Sequence, residues 1–280
     1  MLWATKWLVL LLETNAWIKK DGTRTSRSHN FLARPKKSAI LAAILFASTT
    51  PAHADLLDLS VGLNSWNNNM KVGGTYEGYY NSFKNEHDFK PVIWAKIEHK
   101  VPVLPNVKLR YTDLEHDAKT KITGSIKIDD KIYTDQTDIK IDSKLSHFDV
   151  TPYYNVLNND FLSLGLGINL KIGDFKIEAT DGITSAKIDY KGVAPLPYAC
   201  SEIKLPFDIS LKGDVAGLAI GDYAFYDAEI ALAWEMFDVA EVGASVEAGY
   251  RKISASADDV EDLDLTYKSD GFFVGISVNY

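Results

Sequence analysis

From Leu162 to Ile172 the chain alternates without a break. Leu162, Leu164, Leu166, Ile168, Leu170 and Ile172 are apolar, and Ser163, Gly165, Gly167, Asn169 and Lys171 between them are small or polar. Residues two apart in a strand share a face, so this pattern specifies a sheet with one apolar and one polar side. The same period sets Leu57, Leu59, Val61 and Leu63 against Asp58, Ser60, Gly62 and Asn64. It sets Ala228, Ile230, Leu232, Trp234 and Met236 against Asp227, Glu229, Ala231, Ala233 and Glu235. It also sets Val242, Ala244, Val246, Ala248 and Tyr250 against Gly243, Ser245, Glu247, Gly249 and Arg251.

A soluble sandwich or lipocalin-like barrel also alternates, with its apolar set inward. Two details favour the inverse arrangement, apolar side out. The polar face is rich in Gly, Ser, Asn and charge, as a narrow polar lumen requires, and the turns alternate between short and long along the chain. The expected fold is therefore all-β, an antiparallel up-and-down transmembrane β-barrel. No apolar run approaches the ~20 residues of a spanning helix, and 46% apolar content is too high for a disordered chain.

The longest apolar stretch, Ser38 to Ala47, has a different meaning. Lys36 and Lys37 precede it, and Ala52-His53-Ala54 follows with the small-x-small pattern of a signal peptidase site. Residues 35–54 read as a signal peptide, cut between Ala54 and Asp55, and residues 55–280 as the exported barrel. Residues 1–34, with a weaker apolar patch from Trp7 to Leu12, read as an upstream extension, either a start placed too early or an extended signal.

Of 30 Lys and Arg and 38 Asp and Glu, eight and two lie in residues 1–54; the remainder carries a net charge of −14. That argues against nucleic acid, whose phosphates need basic patches. Cys200 is the one cysteine, so no internal disulfide or thiolate cluster can form. No cofactor is expected.

Tracing strands gives ten, an even number as single-chain bacterial barrels have. Strand one rises to about Trp66, a polar segment from Asn67 to His87 follows, and Pro91 to Lys100 descends. Val101 to Asn106 turns, Asn158-Asn159-Asp160 joins strands four and five, and Phe237-Asp238 joins eight and nine. Leu196 to Lys204 descends, Leu205-Pro206 turns, and Phe207, Ile209 and Leu211 rise again. Ile122, Gly124, Ile126 and Ile128, before a turn at Asp129-Asp130-Lys131, form an outer hairpin. So do Phe175 to Glu178 and Ala186 to Tyr190 around Asp181-Gly182. The alternative count is eight, with residues 176–221 forming one outer loop.

The chain ends Gly271-Phe272-Phe273-Val274-Gly275-Ile276-Ser277-Val278-Asn279-Tyr280. Phe272, Val274, Ile276, Val278 and Tyr280 share a face, a pattern similar to the terminal signature recognised by the barrel assembly machinery. Residues 55–280 also resemble a family of uncharacterised outer-membrane β-barrel proteins of Gram-negative bacteria. The resemblance rests on Tyr226-Asp227-Ala228-Glu229, Gly249-Tyr250-Arg251, the acidic loop after it and Asp270-Gly271-Phe272. It implies an outer-membrane location and a barrel, and no activity.

Lys108, Arg110, His147, Asp149, Glu229, Glu247 and Arg251 should face the lumen, with Arg251, Glu247 and Glu229 at the centre of a charge network. About eight strands give an interior that side chains fill, so ten predict a plugged or very narrow lumen. Asp258, Asp259, Glu261, Asp262 and Asp264 form an acidic outer loop, a weak metal candidate without the spacing of a Ca²⁺ loop. Trp66, Tyr111, Tyr154, Trp234 and Tyr280 read as an interfacial girdle. No G-x-S-x-G or H-E-x-x-H motif is present, and adjacent Ser146 and His147 cannot form a dyad within one strand. The expected protein is a monomeric outer-membrane barrel with a structural or surface-interaction role, in contact with lipid and lipopolysaccharide. A narrow solute pore is the alternative. A lipid- or peptide-modifying enzyme using His87 or His147 is the third.

Overall fold

The computed structural model describes residues 57–280, apart from 77–78, 123–124, 129–130, 135–136, 184, 240–241 and 261–262 and some hairpin side chains, 85–87 and 257–265 among them. Every element among the described residues is a strand. Their ranges are β1 (Leu57–Tyr76), β2 (Tyr79–His99), β3 (Asn106–Thr112), β4 (Glu115–Lys121), β5 (Ser125–Ile128), β6 (Lys131–Thr134) and β7 (Asp138–Lys144). They continue with β8 (His147–Asn158), β9 (Leu162–Thr180), β10 (Ser185–Leu205), β11 (Ile209–Ile220), β12 (Tyr223–Val239), β13 (Val242–Val260) and β14 (Leu263–Asn279).

Ten of them form an antiparallel ring: β1, β2, β3, β8, β9, β10, β11, β12, β13, β14 and back to β1. Closure leaves no unpaired sheet edge in the ring. The ten-strand trace is correct and the eight-strand alternative is not, because residues 176–221 supply wall strands rather than one loop.

The alternation sorts side chains as expected. On β14, Phe272, Val274, Ile276 and Val278 are exposed while Phe273 and Ser277 are buried. On β12, Ile230, Leu232, Trp234 and Met236 are exposed while Asp227, Ala231 and Ala233 are buried. An apolar band thus rings the outside, and polar, charged and small side chains fill the inside.

Four details differ from the sequence reading. The segment from Asn67 to His87 is not a loop: β1 continues to Tyr76 and β2 begins at Tyr79. Apart from residues 113–146, which hold β4 to β7 between β3 and β8, connections at this end are thus also tight; strands of about 20 residues simply overrun the band, which needs only about 9–11. Pairing the overrun satisfies its backbone groups beyond the band. The turn after β12 lies past Val239, because a bulge between Glu235 and Phe237 lets the strand carry on. Phe207 belongs to the turn and not to a rising strand, with φ of 68° beside Asp208 at 57°. Trp66 does not join the girdle: it is fully buried in the lumen, sharing parity with Asn64, whereas Tyr154, Trp234 and Tyr280 are exposed.

At the long-hairpin end, β4 and β7 carry the β3 and β8 wall outward, with Leu145 donating to the Leu114 carbonyl at 2.8 Å where they join. The β5–β6 hairpin forms its own sheet and packs against β1, β2 and β10, on both sides of the mouth. Ile122, Tyr133, Ile139 and Ile141 meet Phe83 of β2 and Ala179 of β9 in an apolar cap, all at most 3% exposed.

The seam between β2 and β4 in this cap holds His116, its side chain fully buried and Nδ1 3.5 Å from Asp88. Burial first, and then the Lys90 ammonium, lowers its pKa to about 4; Asp88 and Asp113 oppose the shift. The cap holds this imidazole neutral, while the unfolded chain takes up a proton near pH 6.5. Its contribution is therefore complete above about pH 6.5 and is lost as pH falls towards about 4, by up to about tenfold in the opening equilibrium per pH unit. Hydrogen exchange of β4 and β7 amides should accelerate, after correction for intrinsic rates, between pH 7 and 5. His116→Gln should flatten that dependence; an unchanged profile would acquit this residue.

Candidate functional site

The lumen has two storeys. Towards the long-hairpin end it is crossed by charged side chains. Arg251 of β13 gives Asp227 of β12 two hydrogen bonds, Nε to Oδ1 at 2.9 Å and Nη2 to Oδ2 at 2.7 Å. Lys171 of β9 bridges Asp149 at 2.8 Å and Asp227 at 3.1 Å. Arg110 of β3 reaches Glu229 of β12 at 3.4 Å, on the opposite side of the ring. Arg251 Nη1 donates to Thr112 of β3 at 3.0 Å, again across the lumen. Its guanidinium lies 5.1 Å from the centre of the Trp66 ring, whose Nε1–H donates to the Gly271 carbonyl at 3.1 Å. Trp66 packs with Val92, Leu114, Ala231, Ile253 and Phe273.

Struts between facing walls cross the lumen at this level. Arg251, Asp227, Lys171 and Asp149 are each at most 6% exposed. A buried ion must be paired and hydrogen-bonded, and here carboxylates and cations alternate.

The sequence-read charges divide in the structure. Arg110 and Glu229 meet each other, and Arg251 comes within 3.9 Å of Glu229. Lys108 pairs instead with Asp214 of β11 at 2.8 Å. The expected contact of Glu247 with Arg251 is not made: Arg251 turns to Asp227, which lies two residues from Glu229 on the same face. Asp227, Lys171, Asp214 and Thr112 are the members that sequence reasoning left out, although parity already placed Asp227 beside Glu229 and Lys171 beside Asn169.

His147, Asp149 and Asp227 could offer three ligand atoms within 4.8 Å of one another. Lys171 already holds both carboxylates, so a divalent ion would have to displace an ammonium; we assign no metal here. His147 is buried, its Nδ1 3.0 Å from the Leu145 carbonyl, and Ser146 donates to Asp113 and not to His147. The His87 side chain, the acidic loop Asp258, Asp259, Glu261, Asp262 and Asp264, and the cleavage pair Ala54–Asp55 lie outside the described residues. The terminal Phe272, Val274, Ile276, Val278 and Tyr280 are all on the exposed face, and Tyr280 closes the ring through paired 2.8 Å backbone bonds with Leu59.

Towards the short-turn end the lumen widens into a chamber of about 820 Å³. Trp94, Lys96, Glu98 and Lys108 line one side, with Tyr153, Tyr198 and Asp214 beyond them; Glu235 and Glu247 stand on β12 and β13. Lys96 pairs with Glu98 at 2.8 Å, Tyr153 also donates to Glu98 at 2.8 Å, and Tyr198 donates to Asp214.

No protein-family model matches the chain, and no curated protein matches it. Among solved structures it is similar to the outer-membrane protease OmpT of Escherichia coli, at 10% identity over 83% of this chain and 99% of that one, TM-score 0.43. It is also similar to a FadL homologue of Pseudomonas aeruginosa, at 12% identity over 81% of this chain and 64% of that one, TM-score 0.30. A third is the toluene transporter TodX of Pseudomonas putida, at 8% identity over 80% and 90% of the two chains, TM-score 0.32. All three are outer-membrane barrels, and likenesses this distant carry neither protease chemistry nor hydrocarbon transport to the present chain.

Proposed function

We propose that the chain is an outer-membrane barrel with a closed lumen, exported behind the signal at residues 35–54, which works as a structural or surface-interaction protein. The observation that carries this reading is the layer of struts from Arg110 and Arg251 to the facing wall, roofed by the apolar cap. The outward band fits acyl chains, the projecting hairpins fit a position among lipopolysaccharide, and the exposed terminal stripe fits the assembly machinery as its partner. The closed ring favours a monomer. Membership of the uncharacterised barrel family read from Tyr226–Glu229 and Gly249–Arg251 belongs to the same proposal.

The test is single-channel recording of folded protein in a planar bilayer, with folding checked by the heat-dependent gel shift of closed barrels. Silence is expected across a wide range of voltage. Stable conductance steps from the unaltered protein would move the narrow-pore alternative to the front, with the chamber as its vestibule.

A further inference from the structure

Of the carboxylates that line the chamber at the short-turn end, Glu235 and Glu247 stand on strands that bring no Lys or Arg to its wall. On the β2, β3, β10 and β11 side each acid has a cation: Lys96 with Glu98, Lys108 with Asp214, and Lys212 on the rung opposite Glu202. On the other side, Glu229 is taken by Arg110 and approached by Arg251. Below it Glu247 and Glu235 line the chamber among Ser245, Ser277, Asn279 and two alanines, with no Lys or Arg on those strands lining it. Glu247 is only 4% exposed and lines the chamber, and no described Lys or Arg forms an ion pair with it.

A carboxylate that faces a chamber with no cation of its own beside it offers an arriving cation an open partner. We propose that the chamber binds a small linear organic polyamine, one ammonium on Glu247 and another on Glu235.

The spacing separates this ligand from a metal ion. Glu247 stands opposite Ala233, so Glu235 is its diagonal neighbour on the adjoining strand, about 7–8 Å away by backbone geometry. No group of three acid or imidazole side chains here converges on one point as a metal needs; among the described residues only His147, Asp149 and Asp227 do so. Two separated carboxylates match two separated ammonium groups. Ser245, Ser277 and Asn279 can accept the remaining N–H bonds, and Gly243 leaves the room that Glu235 and Asn279 occupy, both within 2.6 Å of where a Cβ would stand. The volume of about 820 Å³ admits such a chain with its hydration.

Isothermal titration of spermidine into the full chain, purified folded in detergent, tests the site. Saturable binding near one per barrel is expected, weakened about tenfold or more by Glu247→Gln, the scale of one charged hydrogen bond. Glu235→Gln should weaken it as well, by less, and serves alone if the Glu247 variant does not fold. Magnesium at equal concentration should compete poorly. Absence of binding, equal binding by both variants, or full displacement by equimolar magnesium would each overturn the proposal. The readout is binding in detergent, so it stands or falls separately from whether the lumen conducts.

Discussion

Asp227→Ala is expected to destabilise the folded barrel by about 3–5 kcal/mol, the usual cost of stranding one half of a buried ion pair. The expected readout is a large fall in the urea midpoint of protein refolded in micelles. Asp227 is the one acceptor shared by Arg251 and Lys171. Its loss leaves a guanidinium and an ammonium facing each other at a level where both are at most 2% exposed. Arg251 would retain Thr112 and a distant Glu229, and Lys171 would retain Asp149. Neither arrangement restores the bidentate geometry that suits guanidinium to carboxylate. Replacing both partners at once, Asp227→Leu with Arg251→Met, should cost much less, because no unpaired guanidinium is then buried. A loss under about 1 kcal/mol for Asp227→Ala would place the pair in the energetic range of an exposed one. Water would then reach the layer, contrary to the closed lumen.

The barrel was legible because period-two alternation is a local signal repeated on every wall strand. Leu162 to Ile172 states in eleven residues which side faces outward and which meets the lumen, and β14 states it again over its last residues. Ring closure and strand count follow from adding such segments. The charge network was legible only as a set of candidates. Parity puts Glu229, Asp227, Glu247 and Arg251 on one face, but which carboxylate Arg251 takes depends on the height of each rung and on Trp66 beside it. Those are properties of ring closure and shear, absent from any single strand. Trp66 shows the same limit in reverse. Its position near a supposed strand end suggested the interface, yet β1 continues ten residues further, so it sits mid-strand and its even parity takes it inside. The cap was legible as a hairpin at Ile122 to Ile128 but not as a roof. Only the packing of Ile139 and Ile141 on Phe83 and Ala179 reveals that it folds over the mouth.

The cap and the strut layer beneath it imply that opening the lumen takes two changes, and each alone should leave it silent. Replacing residues 115–144 by an Asn-Gly turn is geometrically mild, since Leu114 and Leu145 are already joined by a 2.8 Å backbone bond and Asn-Gly suits a two-residue hairpin. The ten wall strands keep their pairing, Phe83 and Ala179 lose their cover, and the struts from Arg110 to Glu229 and from Arg251 to Thr112 still cross the lumen. Arg251→Ala alone removes one strut and the cation over Trp66, but the cap remains above the gap. The combined variant lacks the cap and keeps only the Arg110 to Glu229 strut, and it should pass from silence to stable, resolvable steps in a planar bilayer. Recording is confined to variants that keep the heat-dependent gel shift, because Arg251→Ala also strands Asp227 beside Lys171. Steps from the deletion alone would make the cap the sole seal; steps from Arg251→Ala alone would give that role to the charge layer. Silence from a folded combined variant would mean that Trp66, Phe273 and Leu114 close the path by packing. The charges would then be needed for folding rather than for closure.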